Sequence, residues 1–322
     1  MWRFALLTMC YLLTAACGVG GSVDERVSGA RTRNDGPPIW VVRDPDSELY
    51  LYGTVHLLPP ELDWQRDDMR EVFDRAGTIF FELDTGPHAR LEAGILTRDL
   101  GQLSPGQRLS DRLDPYELKL LEAAANNGNI PYVALDSMAP WLASEFLTVA
   151  AAAGEGLLPD LAADEALKNR AERLRKNVIY LDDTERQIRA SADQPEFVQM
   201  ILLTEALERF NTMGPDLRRI AEAWAAGDTD RVRTHTVDTI RQKSPQLYSS
   251  LIRERNQDWT RKFRKFLEGG GTGLAAVGIA HLLGEDSIQH MLRDQGYTVS
   301  RYYAFQGENV IHTIELSINP AD

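Results

Sequence analysis

The sequence predicts an α/β fold (α+β in the wider sense), with strands from both ends of the chain forming one mixed central sheet around a large helical middle region. Three observations carry that prediction. Apolar, β-rich runs lie near the start, at 39–55 and 78–83, and near the end, from 273 onward. The stretch 87–267 reads mostly as helices. One short pattern, an apolar strand followed by Gly-x-x-His, occurs once in each strand-rich end.

The elements follow in order. Residues 39–43 are an apolar run that stops at the Asp44-Pro45 turn, and 48–55 follow, so the two form a hairpin. Pro59 and Pro60 sit just inside a helix start, which predicts a helix to about Ala76. Residues 78–83 are apolar and β-rich, a buried strand. Helices are expected at 87–100, 115–126, 138–153, 161–176, 195–210, 215–226, 229–240 and 244–267, with a short strand at 177–181. Gly269-Gly270-Gly271 turns the chain into a strand at 273–279. A helix at 286–294 leads past Gly296 to a strand at 297–304, and a last strand at 309–316 pairs with it through Gln306-Gly307.

Of 322 residues, 43% are hydrophobic, enough for a sizeable core. No Pro/Ser/Gly-rich linker interrupts 37–322, so one domain is expected there. The net charge of −13 argues against a nucleic-acid partner and against a basic membrane-binding patch. The densest basic stretch, Arg170, Arg173, Arg175 and Lys176, reads as a solvated helix face. At the N-terminus, Arg3 precedes an uncharged run, 4–16, too short for the roughly 20 residues that span a bilayer. It has the basic and apolar regions of a secretory signal. Thr14-Ala15-Ala16-Cys17 resembles a bacterial lipobox, with Thr14 where Leu is usual and Leu13 one step earlier. Residues 1–17 are thus expected as an export signal acylated at Cys17, and 18–36 as a flexible tether; an ordinary cleaved signal is the alternative. The expected location is the cell envelope, facing the periplasm or exterior, with membrane contact only through the lipid. Both cysteines, Cys10 and Cys17, lie in this segment. A mature domain without a free thiol has no Cys nucleophile, so any metal must rest on His, Asp and Glu.

The repeated pattern is the strongest internal signal. Gly53-Thr54-Val55-His56-Leu57-Leu58 and Gly278-Ile279-Ala280-His281-Leu282-Leu283 each follow an apolar strand, with His56 and His281 lying 225 positions apart. That is too far for a solenoid repeat and fits two halves of one domain meeting at a cleft. Strand ends in α/β sheets are where ligands bind, and glycine permits close approach. Glu82, at the end of an apolar strand, is the third candidate; exposure at the strand end is its bland alternative. Two His and a carboxylate make an adequate divalent-metal set. Asp164, Asp182, Gln187, Arg255 and Asn256 are further polar candidates, although Arg255 on an amphipathic helix is by default solvated. His88, His235, His290 and His312 lack a matching context and read as structural or surface residues.

These residues together resemble the TraB/GumN family. The resemblance rests on Gly53-Thr54-Val55-His56 after Tyr50-Leu51-Tyr52, Phe81-Glu82-Leu83-Asp84, Leu181-Asp182 with Gln187, Trp224 with Gly227-Asp228, Arg255-Asn256 with Trp259, and Val277-Gly278-Ile279-Ala280-His281-Leu282 with Gly284. They stand in family order over nearly the whole mature chain. Asp183-Thr184 departs from the pattern, since many relatives have Thr directly after the acid. The family is related to the Tiki proteases and to erythromycin esterase and ChaN-like proteins. The resemblance implies a pseudo-duplicated core with both Gly-x-x-His motifs at one cleft. It implies metal-dependent proteolysis, with Mn or Co as the ion and Zn behind them, at a site of His56, Glu82 and His281, with Arg255 as an anion or transition-state partner.

Three functions therefore compete. The first is a metal-dependent peptidase or hydrolase acting on a peptide or protein, with Glu82 as ligand or as general base. The second is a metal-free hydrolase in which His56 activates water. The third is a non-enzymatic envelope protein that binds a peptide or signalling factor. No Gly-x-Ser-x-Gly elbow, His-Glu-x-x-His or P-loop offers other chemistry.

Overall fold

The computed structural model describes residues 36–303. The export signal, Cys17, nearly all of the tether and the strand expected at 309–316 lie outside the described residues.

Six strands form one sheet: β1 (Ile39–Arg43), β2 (Ser47–Thr54), β3 (Thr78–Phe81), β4 (Asn177–Tyr180), β5 (Gly271–Gly278) and β6 (Thr298–Tyr302). Their order is β4-β3-β5-β2-β1-β6. The first four in that order are parallel, and β1 is antiparallel to both β2 and β6, so the sheet is mixed. β1 and β2 form the expected hairpin, paired from Arg43↔Glu48 to Ile39↔Tyr52. Asp44 closes its turn by accepting from the Ser47 amide at 2.8 Å.

β5 is buried from Gly273 to its end. A parallel strand covered on both faces requires such an unbroken apolar run. β2 flanks it on one side, with Gly53 opposite Val277 and Thr54 opposite Gly278. β3 flanks it on the other, with Phe81 opposite Ala276. The two strands that precede Gly-x-x-His are therefore neighbours, and the carboxyl ends of β2, β5 and β3 lie side by side.

The helices are α1 (Asp67–Arg75), α2 (Pro87–Gly101), α3 (Pro115–Asn127), α4 (Tyr132–Asp136), α5 (Pro140–Gly154), α6 (Ala163–Arg173), α7 (Thr184–Ala192), α8 (Glu196–Ala226), α9 (Thr229–His235), α10 (Val237–Lys243), α11 (Pro245–Tyr248), α12 (Glu254–Leu267) and α13 (Ile288–Asp294). Several differ from the sequence expectation. Residues 59–66 are not helical: Leu58 bridges to Leu158, and Trp64 is drawn into an aromatic cluster with Tyr52 and Trp224. The two helices expected at 195–210 and 215–226 are one, α8, with Pro215 inside it. Its apolar stripe runs through the proline, burying Phe210, Met213, Leu217, Ile220 and Trp224. α7 was not expected; Asp183 caps it by accepting from the Arg186 amide at 2.7 Å. The helix expected at 229–240 breaks at Thr236, and the one at 244–267 contains a π-helical turn, Ser249–Arg253. Among the described residues no helix is long and apolar enough to cross a membrane.

Candidate active site at the ends of three parallel strands

Glu82 follows β3 directly and is buried. Its Oε1 accepts from the Gly278 amide at 2.6 Å, and its Oε2 accepts from Arg255 Nη2 at 2.7 Å. Arg255 comes from α12. Its position there falls on the stripe of Trp259, Phe263 and Leu267, which faces the core, so its side chain is only 3% exposed. The default of a solvated Arg255 is thus wrong, and helical phase is the reason. Its guanidinium also donates from Nε to Asp182 Oδ2 at 2.8 Å and from Nη2 to Gln187 Oε1 at 3.4 Å, and lies 4.6 Å from the Trp259 ring centroid. Burial, the largest influence, would raise the Glu82 pKa; Arg255, His281, His56 and the Gly278 amide together outweigh it and hold the carboxylate below its usual range.

His281 is fully buried under the same cluster. Asn256 Nδ2 donates to the carbonyls of His281 and Asp286, at 3.2 and 2.7 Å. Asn256 Oδ1 therefore faces His281 Nδ1, at 2.6 Å, and the proton must sit on Nδ1. Nε2 is left to accept from Arg255 Nη1 at 3.4 Å. Burial lowers the His281 pKa to about 3; Glu82 opposes the shift and Arg255 adds to it.

His56 lies on the open side. Its Nδ1 is 3.1 Å from Asp164 Oδ1. Asp164 stands in the first turn of α6, whose start is fixed by the Ala163 amide donating to Val55 O at 3.2 Å, next to His56. Lys168, one turn on, is 3.4 Å from Asp164 Oδ2 and 3.1 Å from Glu165 Oε1. Against the burial that opposes it, His56 and Lys168 hold the Asp164 carboxyl well below the usual range. His56 Nε2 is buried and has no hydrogen-bond partner within the protein.

The glycines have separate tasks. A Cβ on Gly278 would lie 3.1 Å from Glu82 Oε1, 3.3 Å from His56 Nε2 and 3.7 Å from His281 Cδ2, so all three side chains converge above it. A Cβ on Gly53 would strike the Ile279 side chain instead; that glycine serves close packing, and its carbonyl accepts from Trp224 Nε1 at 2.8 Å.

The sequence-predicted residues thus come together around the β2, β5 and β3 ends. Asp182 is the acid that reaches Arg255, while Asp183 caps α7, which resolves the register at the extra residue. Among the described residues, no group of three or more His, Cys, Asp or Glu is arranged to hold a metal ion. Glu82 and His281 are turned inward to Arg255, Gly278 and Asn256, and a guanidinium stands beside the donors that a second cation would need. A model of the TraB/PrgY/gumN family matches residues 38–301. The chain belongs to the TraB/PrgY/gumN family. No curated protein and no solved structure matches it. Every residue of the cluster falls within the part of the chain matched by the TraB/PrgY/gumN model. Lys168 escaped the sequence reading, although its spacing of four from Asp164 on one helix was the available signal.

Proposed function

We propose that this TraB/PrgY/gumN protein is a hydrolase that cleaves a peptide or protein substrate, with His56 activating the attacking water. The carrying observation is His56 Nε2, buried and unpartnered, on a ring whose Nδ1 is held by Asp164. An Nδ1–H donated to the carboxylate leaves a lone pair on Nε2. That nitrogen can take a proton from water, and Asp164 stabilises the resulting imidazolium. Lys168 keeps Asp164 ionised for that task. Glu82 is poorly suited as the base, because both its oxygens already accept hydrogen bonds. Arg255, paired with Glu82 and Asp182, supports the site from beneath.

A metal-dependent form is the second reading. It is favoured by one observation: His56 Nε2 and Glu82 Oε1 face the same point above Gly278. A divalent ion, Mn or Co before Zn, would polarise a carbonyl and lower the pKa of bound water. The experiment is a peptide-library cleavage screen of purified protein, with bound metal measured before and after chelation. Turnover that survives chelation supports direct activation by His56; turnover lost together with Mn or Co supports the ion. No turnover with any metal, from folded protein, sinks both and leaves the role of a peptide-binding regulator. The envelope setting rests on the lipobox-like 14–17. Cys17→Ser should abolish lipid labelling and detergent partitioning; retained labelling contradicts the anchor.

A further inference from the structure

We infer that Thr54 holds the attacking water against His56, as a positioning residue for the hydrolysis proposed above, on which this inference rests. Thr54 ends β2, two residues before His56. It is 1% exposed, and its Oγ1, like His56 Nε2, has no hydrogen-bond partner within the protein. Thr54, His56 and Glu82 line one cavity of about 40 Å³. That space is large enough to hold a water molecule. Its other walls are the apolar Ala276, Leu83, Pro159 and Ala162 together with Thr85, Asp164, Glu165 and Lys168; Asp164 is engaged by His56, and Glu165 by Lys168 and Arg90. A valine would satisfy the packing of a buried parallel strand equally well. The hydroxyl instead carries a desolvation cost unless something in the cavity pairs with it.

A hydroxyl has one donor and two acceptor sites. Thr54 Oγ1 accepts one hydrogen of the water while His56 Nε2 accepts the other, which turns an oxygen lone pair toward the substrate carbonyl. In the step itself, the water oxygen bonds to the carbonyl carbon and its proton moves to His56 Nε2. The carbon–nitrogen bond then breaks, and the proton passes from His56 to the leaving amine. Products are a carboxylic acid and an amine. Thr54 gives up no proton and forms no covalent bond.

The test pairs Thr54→Val, which keeps the shape and removes the hydroxyl, with Thr54→Ser, which restores it. Thr54→Val should lower kcat by about 10–100-fold with KM within about twofold, since misplacing a reactant costs rate rather than binding. Its melting temperature should not fall, and Thr54→Ser should recover most of the rate. A high-resolution crystal structure of the unaltered protein should show an ordered water within hydrogen-bond distance of Thr54 Oγ1 and His56 Nε2, lost in Thr54→Val. Wild-type kcat in Thr54→Val, or a seat filled by an anomalous scatterer instead of water, overturns the inference. The crystallographic arm reads the seat without turnover. A water bound there in a protein that cleaves nothing would count against the hydrolase reading alone.

Discussion

His281 shows how a few contacts set the chemistry of one residue. Burial, the Asn256 acceptor and the neighbouring Arg255 cation keep the ring neutral, with a pKa of about 3 against an ordinary 6.5. The folded protein therefore resists a proton that the unfolded chain takes up below about 6.5. Stability should fall on acidification between those values, by at most roughly 1.4 kcal/mol per pH unit. Glu82 acts in the same direction, because its depressed pKa contributes stability that is lost as pH falls through the folded value. Urea titrations at pH 7 and pH 5 should show this loss, and His281→Phe should flatten it; an equal slope in the variant contradicts the assignment. At His56, Asp164→Asn should cost about 10²–10⁴-fold in turnover while leaving the fold intact. Circular dichroism beside kinetics checks both halves. Much of this cluster was legible in the residues, because a strand, a glycine and a histidine three positions on are local. Arg255 was legible as a candidate through the family resemblance, but its burial was not, since that depends on which stripe of α12 meets the sheet. Neither was the neutral state of His281, which depends on Asn256 and Arg255 arriving from that helix.

At the scale of elements, α7 is the instructive case. The sequence places Asp182 and Asp183 together, but only Asp182 reaches Arg255. Asp183→Ala should cost about 1 kcal/mol through the lost cap and spare turnover. Asp182→Ala removes a partner from a buried guanidinium and should cost several times more stability. Equal losses in chemical denaturation would mean that the two acids share one role. α5 and α8 cross where a Cβ on Gly214 would sit 2.5 Å from Ala151 O. Gly214→Val should therefore destabilise by about 1–3 kcal/mol through overpacking; an unchanged melting temperature contradicts so close a contact. The β1–β2 hairpin was legible from its turn and strand pattern. The continuity of α8 was not, because Pro215 is a local stop signal that burial of Met213, Leu217 and Trp224 overrides. Residues 59–66 failed for the same kind of reason: Trp64 gains more from Tyr52 and Trp224 than from a helical turn.

In the whole molecule, the order β4-β3-β5-β2-β1-β6 turns separate motifs into one site. The similarity of the two Gly-x-x-His units hinted at a shared cleft, but strand order is a long-range property that local patterns do not carry. The same long-range packing leaves Glu145 buried on α5, with Oε1 unpartnered, and burial pushes its pKa well above the usual range. The folded state keeps this carboxyl protonated while the unfolded chain ionises above about 4.5. Glu145 therefore costs stability as pH rises past that value. Glu145→Gln should raise the melting temperature at pH 7 and leave it nearly unchanged at pH 4; a lower value at pH 7 contradicts this. If the cleft at the ends of β2, β5 and β3 cleaves substrate, it does so through His56. This is tested most directly by single-turnover cleavage of a peptide library by the native protein and by His56→Ala, with folding of both confirmed. The native protein should cleave, and the variant should lose about 10²–10⁴-fold in rate. Equal cleavage by the two proteins would contradict this role of His56.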